Sequence, residues 1–247
     1  MYGWRARLGN ISPSAVAEIF PYEFYRAAPE GVTLVTTNLA IRDARDAREV
    51  EASWQKMEEA IDHLIKADVS YMTLGGAPLV LVKGVPAYRQ LLDKLRRLSP
   101  VPAGTSVQAF ADGLKKLQAK RLAVATSFIP AHNELVKEFL VSEGFEVLGV
   151  KGLDTGLISV QKATLSPVQV YRHAKHVARE YPECDALLIT SSAWPTLTVI
   201  QALEEDIGKP VVSSAVAQIW APLYNLGIRS PIKGYGILLS SLASAEG

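Results

Sequence analysis

The alternation of apolar runs and helical stretches predicts an α/β fold, organised as two Rossmann-like parallel-sheet domains in pseudo-twofold arrangement. Three observations carry that expectation. Short β-branched and aliphatic runs alternate with amphipathic stretches along the whole chain, which is the rhythm of parallel βα units. Residues 186–190 (ALLIT) read as a buried strand that runs into Ser191-Ser192 and then into a helix beginning near Pro195; in open α/β sheets ligands gather at such carboxyl ends. A unit of strand, small-residue turn, helix, short strand ending in hydroxyls and helix occurs twice. It comprises residues 70–78 with 102–106, and residues 186–192 with 210–214, the mark of an internal repeat. The repeat suggests residues 1–104 with 215–247 as the first domain and 105–214 as the second.

Taken in order, residues 5–11 (RARLGNI) form a first strand ending at Ser12-Pro13-Ser14. Ser12 or Ser14 then caps a helix over residues 14–28, which Pro21 kinks or divides. Residues 32–36 (VTLVT) are a β-branched strand with Thr37 and Asn38 at its end. RDARDAR, residues 42–48, alternates in sign and reads as a solvated loop or helix face. Val50, Trp54, Met57, Ile61 and Leu64 give residues 49–67 helical spacing. Residues 70–74 are a strand followed by the Gly75-Gly76 turn, and residues 85–98 a helix. Thr105 or Ser106 caps the next helix, through Val107, Phe110, Leu114 and Leu117.

Residues 121–126 (RLAVAT) are another buried strand, and Pro130 opens a helix after it. Residues 145–150 are a strand and 152–156 a glycine-marked loop. Ser166 caps a helix with Pro167 at its first position. Residues 198–205 are helical, 210–212 a strand and 216–226 helical. Residues 234–239 read as a last strand or sheet-edge return.

The 247 residues suffice for a sizeable core, and 49% hydrophobic with 21% charged residues is ordinary for a globular protein. A net charge of +1 without a basic stripe argues against nucleic acid as the main partner. Cys184 is the single cysteine, so an intramolecular disulfide and a CxxC metal site are excluded. His173 and His176 sit three apart beside Arg172 and Lys175 and read as a polar helix face. No run approaches a membrane span and the N-terminus has no signal-peptide pattern, which makes a cytoplasmic protein without a membrane partner the expectation.

At the expected carboxyl ends of strands lie Ser12, Ser14, Thr37, Asn38, Gly75, Gly76, Thr105, Ser106, Thr126, Ser127, Ser191, Ser192, Ser213 and Ser214. This set is hydroxyl-rich and uncharged. Such groups at helix N-termini bind carboxylate or phosphate; they are also the ordinary N-caps of α/β proteins. Neither GxGxxG after the first strand nor GxxxxGK[ST] occurs, and no GxSxG surrounds Ser191, so nucleotide binding and a serine triad are not supported. His132 and Asp154 are the candidate titratable partners for Ser191.

Several segments resemble the aspartate/glutamate racemase superfamily, in particular its arylmalonate decarboxylase and maleate isomerase branch. They are LGNISPS (8–14), residues 108–114 followed by RLAVATSF (121–128), Asn133-Glu134, PECDALLITSS (182–192), GKPVVSSAVAQIW (208–220) and GYG (234–236). The resemblance implies two Rossmann-like domains around a cofactor-free site, with a cysteine from each half flanking the substrate carbon and amides and hydroxyls holding a carboxylate. Gly76 and Ser191 occupy those two cysteine positions here. Glycine at the first is shared with the decarboxylases, which keep the second cysteine as proton donor. The decarboxylases' hydroxyl pair is replaced by Ala77 and Pro78, their tyrosine by Phe128, and an asparagine of the isomerases by Val16.

The resulting expectation is a lyase or isomerase that decarboxylates or isomerises a small carboxylate or dicarboxylate without metal or organic cofactor. Gly76 and Ser191 would stand at the reacting carbon, and Ser12, Ser14, Thr126, Ser127, Ser192, Ser213 and Ser214 would bind the anion. The partner is a small-molecule carboxylate, and a homo-oligomer is compatible with this reading. A non-catalytic carboxylate-binding or regulatory protein on the same fold, and a hydrolase or hydratase using Ser191, are the alternatives. Cys184 precedes Ser191 by seven residues along one strand, roughly 20 Å, and reads as a buried structural cysteine.

Overall fold

The structure is a computed structural model that describes residues 2–153, 156–191 and 193–243 (for Ser159 the backbone only). Its strands form two four-stranded parallel sheets. β1 (Ala6–Ser14), β2 (Val32–Ile41), β3 (Tyr71–Leu74) and β4 (Ala103–Thr105) pair in the order β2-β1-β3-β4. β5 (Arg121–Thr126), β6 (Glu146–Gly152), β7 (Ala186–Thr190) and β8 (Val211–Ser213) pair as β6-β5-β7-β8. The connectivity is therefore the same in both halves, with β1 corresponding to β5 and β3 to β7. Every residue of β3 and β7 is buried, as expected of inner parallel strands covered on both faces. The edge strand β6 is half-exposed along its length.

Helices cover the sheets. The first half carries α1 (Ile19–Ala27), α2 (Ala47–Gln55), α3 (Met57–Lys66), α4 (Ala77–Leu81) and α5 (Gly84–Leu98). After β4 come α6 (Ser106–Lys116), α7 (Pro130–Ser142), α8 (Pro167–Glu180), α9 (Ile200–Ile207), α10 (Ser214–Asn225) and the short α11 (Ile237–Ser240). The helices that follow the two short edge strands, α6 and α10, pack on each other; α6 also reaches β8, and α10 reaches β3. This exchange joins the halves with their strand ends toward a common space. Among the described residues no helix is long and apolar enough to cross a membrane.

Local signals placed several boundaries correctly. Thr105, one of the two candidates, caps α6 by accepting from the Gln108 amide; Ser213, expected to bind the anion, instead caps α10 by accepting from the Val216 amide. Ser166 and Gln169 form a reciprocal capping box at α8, with Pro167 in its first turn.

Other expectations are corrected. Neither Ser12 nor Ser14 caps α1: β1 runs on to Ser14 through a register shift beside β2, and α1 begins at Ile19 with Glu18 before it. Pro21 falls in the first turn of α1, where its missing N–H is not needed, so it neither kinks nor divides a helix. Residues 49–67 are two helices, broken at Lys56 and started by Asp46, whose side chain accepts from the Arg48 amide. The helix expected near Pro195 begins later, with a 3-10 turn at Leu197–Val199 leading into α9. Residues 237–240 are helical, not a strand: α11 follows Gly236, and Glu204 accepts from the Ile237 amide and ties this segment to α9.

A buried carboxyl links the halves. Glu23 of α1 is 4% exposed and accepts from the Leu197 amide at 2.7 Å, beyond β7 in the second half. Burial pushes its pKa from 4.5 up to about 7, against the lowering effect of the Leu197 and Thr196 bonds and of Arg26. Between those two values the unfolded chain releases a proton that the folded protein keeps. Stability should therefore fall as pH rises through this window, by roughly 3 kcal/mol at most. Glu23→Gln, uncharged throughout, should flatten the pH dependence of Tm between about pH 5 and pH 8; an unchanged slope would assign the effect to another group.

Candidate functional site

The carboxyl ends of seven strands border one cleft of about 750 Å³. The first sheet supplies Pro13 and Ser14 of β1, Ile41 of β2 and the turn Gly76-Ala77-Pro78 after β3; Ser106 follows β4. The second supplies Ser127, Phe128 and Ile129 after β5, Thr190 and Ser191 at the end of β7, and Ser214 after β8. Three helices of eleven or more residues, α6, α7 and α10, begin at this cleft, and their N-terminal amides make it favourable to negative charge.

Strand register explains the central pair. Thr126 of β5 lies beside Thr190 of β7 in a parallel ladder, so the next residues, Ser127 and Ser191, emerge together. Ser127 Oγ donates to Ser191 Oγ at 2.9 Å, both side chains being buried. The Ser191 hydroxyl proton is thereby left for another acceptor. Ser214 Oγ donates to Thr190 Oγ1 at 3.2 Å. Ser106 Oγ is buried and has no partner among the described residues; since Thr105 is the cap, Ser106 presents an unused hydroxyl to the cleft.

Gly76 sits opposite, in a left-handed conformation with φ +88° that glycine alone adopts readily. A Cβ there would come 2.5 Å from Pro13 Cγ. Pro13 and Gly76 thus pack backbone to ring at the first sheet's end of the cleft.

Of the sequence-predicted residues, Ser14, Gly76, Ser127, Ser191 and Ser214 line this one cleft. Ser12 instead lines a smaller adjoining recess with Asn10, Gly75 and Gln218. Thr126 and Ser213 do not line the cleft. Thr126 accepts from the Phe128 amide and donates to Asn133 Oδ1, while Ser213 holds the α10 cap and accepts from Thr196. Ser192 and Asp154 lie outside the described residues. Cys184 is buried before the start of β7, at the end remote from Ser191.

Two cations at the cleft had no signal in the sequence. Arg45, from the charge-alternating run, lines it while paired to Asp43 through Nε at 2.9 Å and Nη2 at 2.7 Å. Lys162 comes from a 3-10 turn, Ser159–Thr164, in a stretch without periodicity. These segments meet across the halves, the Val160 amide donating to the Arg42 carbonyl at 3.2 Å. Lys162 Nζ donates to the Ser127 carbonyl and lies 5.7 Å from the centre of the Phe128 ring. Burial, then Arg45, lowers its pKa from 10.5 to about 8, with Asp43 opposing. His132, edge-on to Phe128, also lines the cleft, and burial followed by Lys162 lowers its pKa. Among the described residues, none that lines the cleft carries a carboxylate.

Two α/β halves of one connectivity, turned so that their strand ends share a hydroxyl-lined and carboxylate-free cleft, have the architecture of the aspartate/glutamate racemase superfamily. The arylmalonate decarboxylase family model matches residues 8–239, and the chain belongs to that family. Arylmalonate decarboxylase of Bordetella bronchiseptica is 31% identical over 191 residues, 74% of this chain and 77% of that protein. Maleate isomerase of Pseudomonas putida is 24% identical over 250 residues, 95% of this chain and 97% of that protein. Among solved structures, a cysteine-to-alanine variant of the maleate isomerase of Pseudomonas putida S16 with maleate superposes with TM-score 0.84 at 26% identity, covering 95% of this chain and 97% of that one. A liganded arylmalonate decarboxylase carrying glycine-to-cysteine and cysteine-to-serine changes gives TM-score 0.86 at 24% identity, over 94% and 98%.

Proposed function

We propose that the chain is an enzyme that decarboxylates or isomerises a small carboxylate or dicarboxylate without a metal or organic cofactor, with Gly76 and Ser191 on either side of the reacting carbon. The observation that carries this reading is the convergence of Gly76 from one half and Ser191 from the other on a single cleft, among the hydroxyls of Ser106, Ser127 and Ser214. A substrate carboxylate in that cleft meets the uncommitted hydroxyl protons of Ser106 and Ser191 and the N-termini of α6, α7 and α10. When a bond at the α-carbon gives up its electron pair, negative charge spreads into the remaining carboxylate, and the same preset donors stabilise it. Ser191 serves as one of these donors, because its oxygen already accepts from Ser127 and its own proton is available. A serine hydroxyl is far less acidic than a thiol near pKa 8.5, so Ser191 does not replace the proton-donating cysteine of the relatives.

The second reading, a carboxylate-binding or regulatory protein without turnover, is favoured by the absence of a thiol from the cleft-lining residues. The two are separated by incubating the protein with phenylmalonate, phenylacetate and maleate in deuterated water and following each by proton NMR. Loss of phenylmalonate, formation of fumarate or deuterium uptake by phenylacetate supports the enzyme. Saturable binding with no chemical change in any of them supports the binding protein and overturns the enzyme reading.

A further inference from the structure

We propose that Lys162 is the proton-transferring residue of this cleft, performing the task that relatives give to a cysteine. The inference rests on the enzyme reading above. It starts from a deficit: carbanion chemistry needs an acid beside the reacting carbon, and Ser191 stands where the decarboxylases keep their proton-donating cysteine, with Gly76 at the other position. Among the described lining residues only Arg45, His132 and Lys162 carry nitrogen acids on their side chains.

Arg45 keeps its proton at any accessible pH and is engaged by Asp43. His132 has its charged form disfavoured by burial and by Lys162, so little of it is an acid at neutral pH. Lys162 remains. Its ammonium is anchored on the carbonyl of Ser127, the residue whose hydroxyl bonds Ser191. That anchor uses one of three N–H bonds and leaves two on an ammonium that lines the same cleft as Ser191. Its pKa of about 8 places it where an acid can both hold a proton at pH 7 and be reloaded quickly. The charged and titratable groups around it are Arg45, Asp43 and His132.

For decarboxylation the step balances as follows. The bond from the α-carbon to the departing carboxylate breaks, and carbon dioxide leaves. The electron pair spreads into the remaining carboxylate, held by the cleft hydroxyls. A proton passes from the Lys162 ammonium to the α-carbon, forming the new C–H bond. The neutral amine then takes a proton from water, replacing the one that the reaction consumes.

The test compares wild type, Lys162→Met, Lys162→Arg and Lys162→Ala on phenylmalonate, with deuterium exchange into phenylacetate as the reverse proton transfer. Lys162→Met should lower kcat and exchange at least 100-fold, the scale of a general acid, with KM changed by no more than about threefold. Lys162→Arg keeps the charge but not a transferable proton, and should be equally impaired. Added methylammonium should restore part of the rate in Lys162→Ala. The wild-type kcat should fall as pH rises through about 8, and the rescued rate should fall at the pKa of the added amine.

A wild type that turns over while Lys162→Met or Lys162→Arg keeps full kcat overturns the role of Lys162 and leaves the enzyme reading standing. Impaired variants without amine rescue make the lysine a structural or electrostatic group and overturn proton transfer. A wild type inert toward these compounds overturns both.

Discussion

Ser191→Ala is expected to lower kcat at least 100-fold on whichever carboxylate the wild type converts, while leaving the fold intact. The hydroxyl lies just past the end of β7, lines the cleft and accepts from Ser127 at 2.9 Å. Its own proton therefore points to the ligand. Removing one preset donor from a site where charge develops costs about 100- to 1,000-fold in rate. Stability should change little, because the lost group is small and Ser127 Oγ can turn into the cleft. Steady-state kinetics together with a thermal melt decide the matter: full activity sinks the assignment, and a large loss of Tm would make the effect structural. Ser191→Cys carries a complementary expectation. A thiol can supply a proton near neutral pH, so in a Lys162→Met background it should return part of the lost turnover.

The second large effect is on the fold, at Gly76. Its φ of +88° is in the left-handed region, and a Cβ would lie 2.5 Å from Pro13 Cγ and 3.1 Å from Pro13 Cβ. A proline ring cannot swing aside as a flexible chain would, and Pro13 is held in β1 beside the register shift between Ser12 and Ser14. Gly76→Ala should therefore cost about 1–3 kcal/mol from backbone conformation alone. At this chain length that is roughly 3–10 °C of Tm, with further loss from displacing Pro13. Gly75→Ala is the control: Gly75 has no positive φ, and its nearest approach is 3.3 Å, to Pro13 Cδ. Equal Tm losses at the two positions would refute the argument. Gly76→Cys should behave as Gly76→Ala or worse, so a cysteine on each side of the cleft cannot be installed here without moving the end of β1.

Caps and strand ends were legible in the sequence wherever a local signal was sufficient. Thr105 and Ser166 cap the helices they precede because the geometry of an N-cap spans only three residues. Ser12, Ser14 and Pro21 were misread for the opposite reason. The pairing of β1 with β2, in which Ser12 lies beside Asn38 and Ser14 beside Ile41, holds residues 12–14 in the strand and delays the helix to Ile19. The apolar spacing of residues 49–67 was real on both sides of Lys56, yet periodicity carries no information about a break between two helices sharing one face.

The sequence by itself determined the two-sheet α/β architecture and the strand end that presents Ser191, because periodicity and small-residue turns are written locally and repeat in both halves; the family was legible through the resemblance of segments such as RLAVATSF and PECDALLITSS. Only the tertiary structure decided which hydroxyls meet. Thr126 and Ser213 turn to caps and buried bonds, while Ser106, Ser127, Ser191 and Ser214 face one space with Gly76. It also decided where the charge goes. Arg45 stands in a run that reads as solvated and Lys162 in a stretch without periodicity, and they enter the cleft because loops from opposite halves meet at the Arg42 carbonyl and the Val160 amide. Burial and the neighbours of a titratable group come from segments far apart in the chain, so its proton affinity is a property of packing and not of spacing.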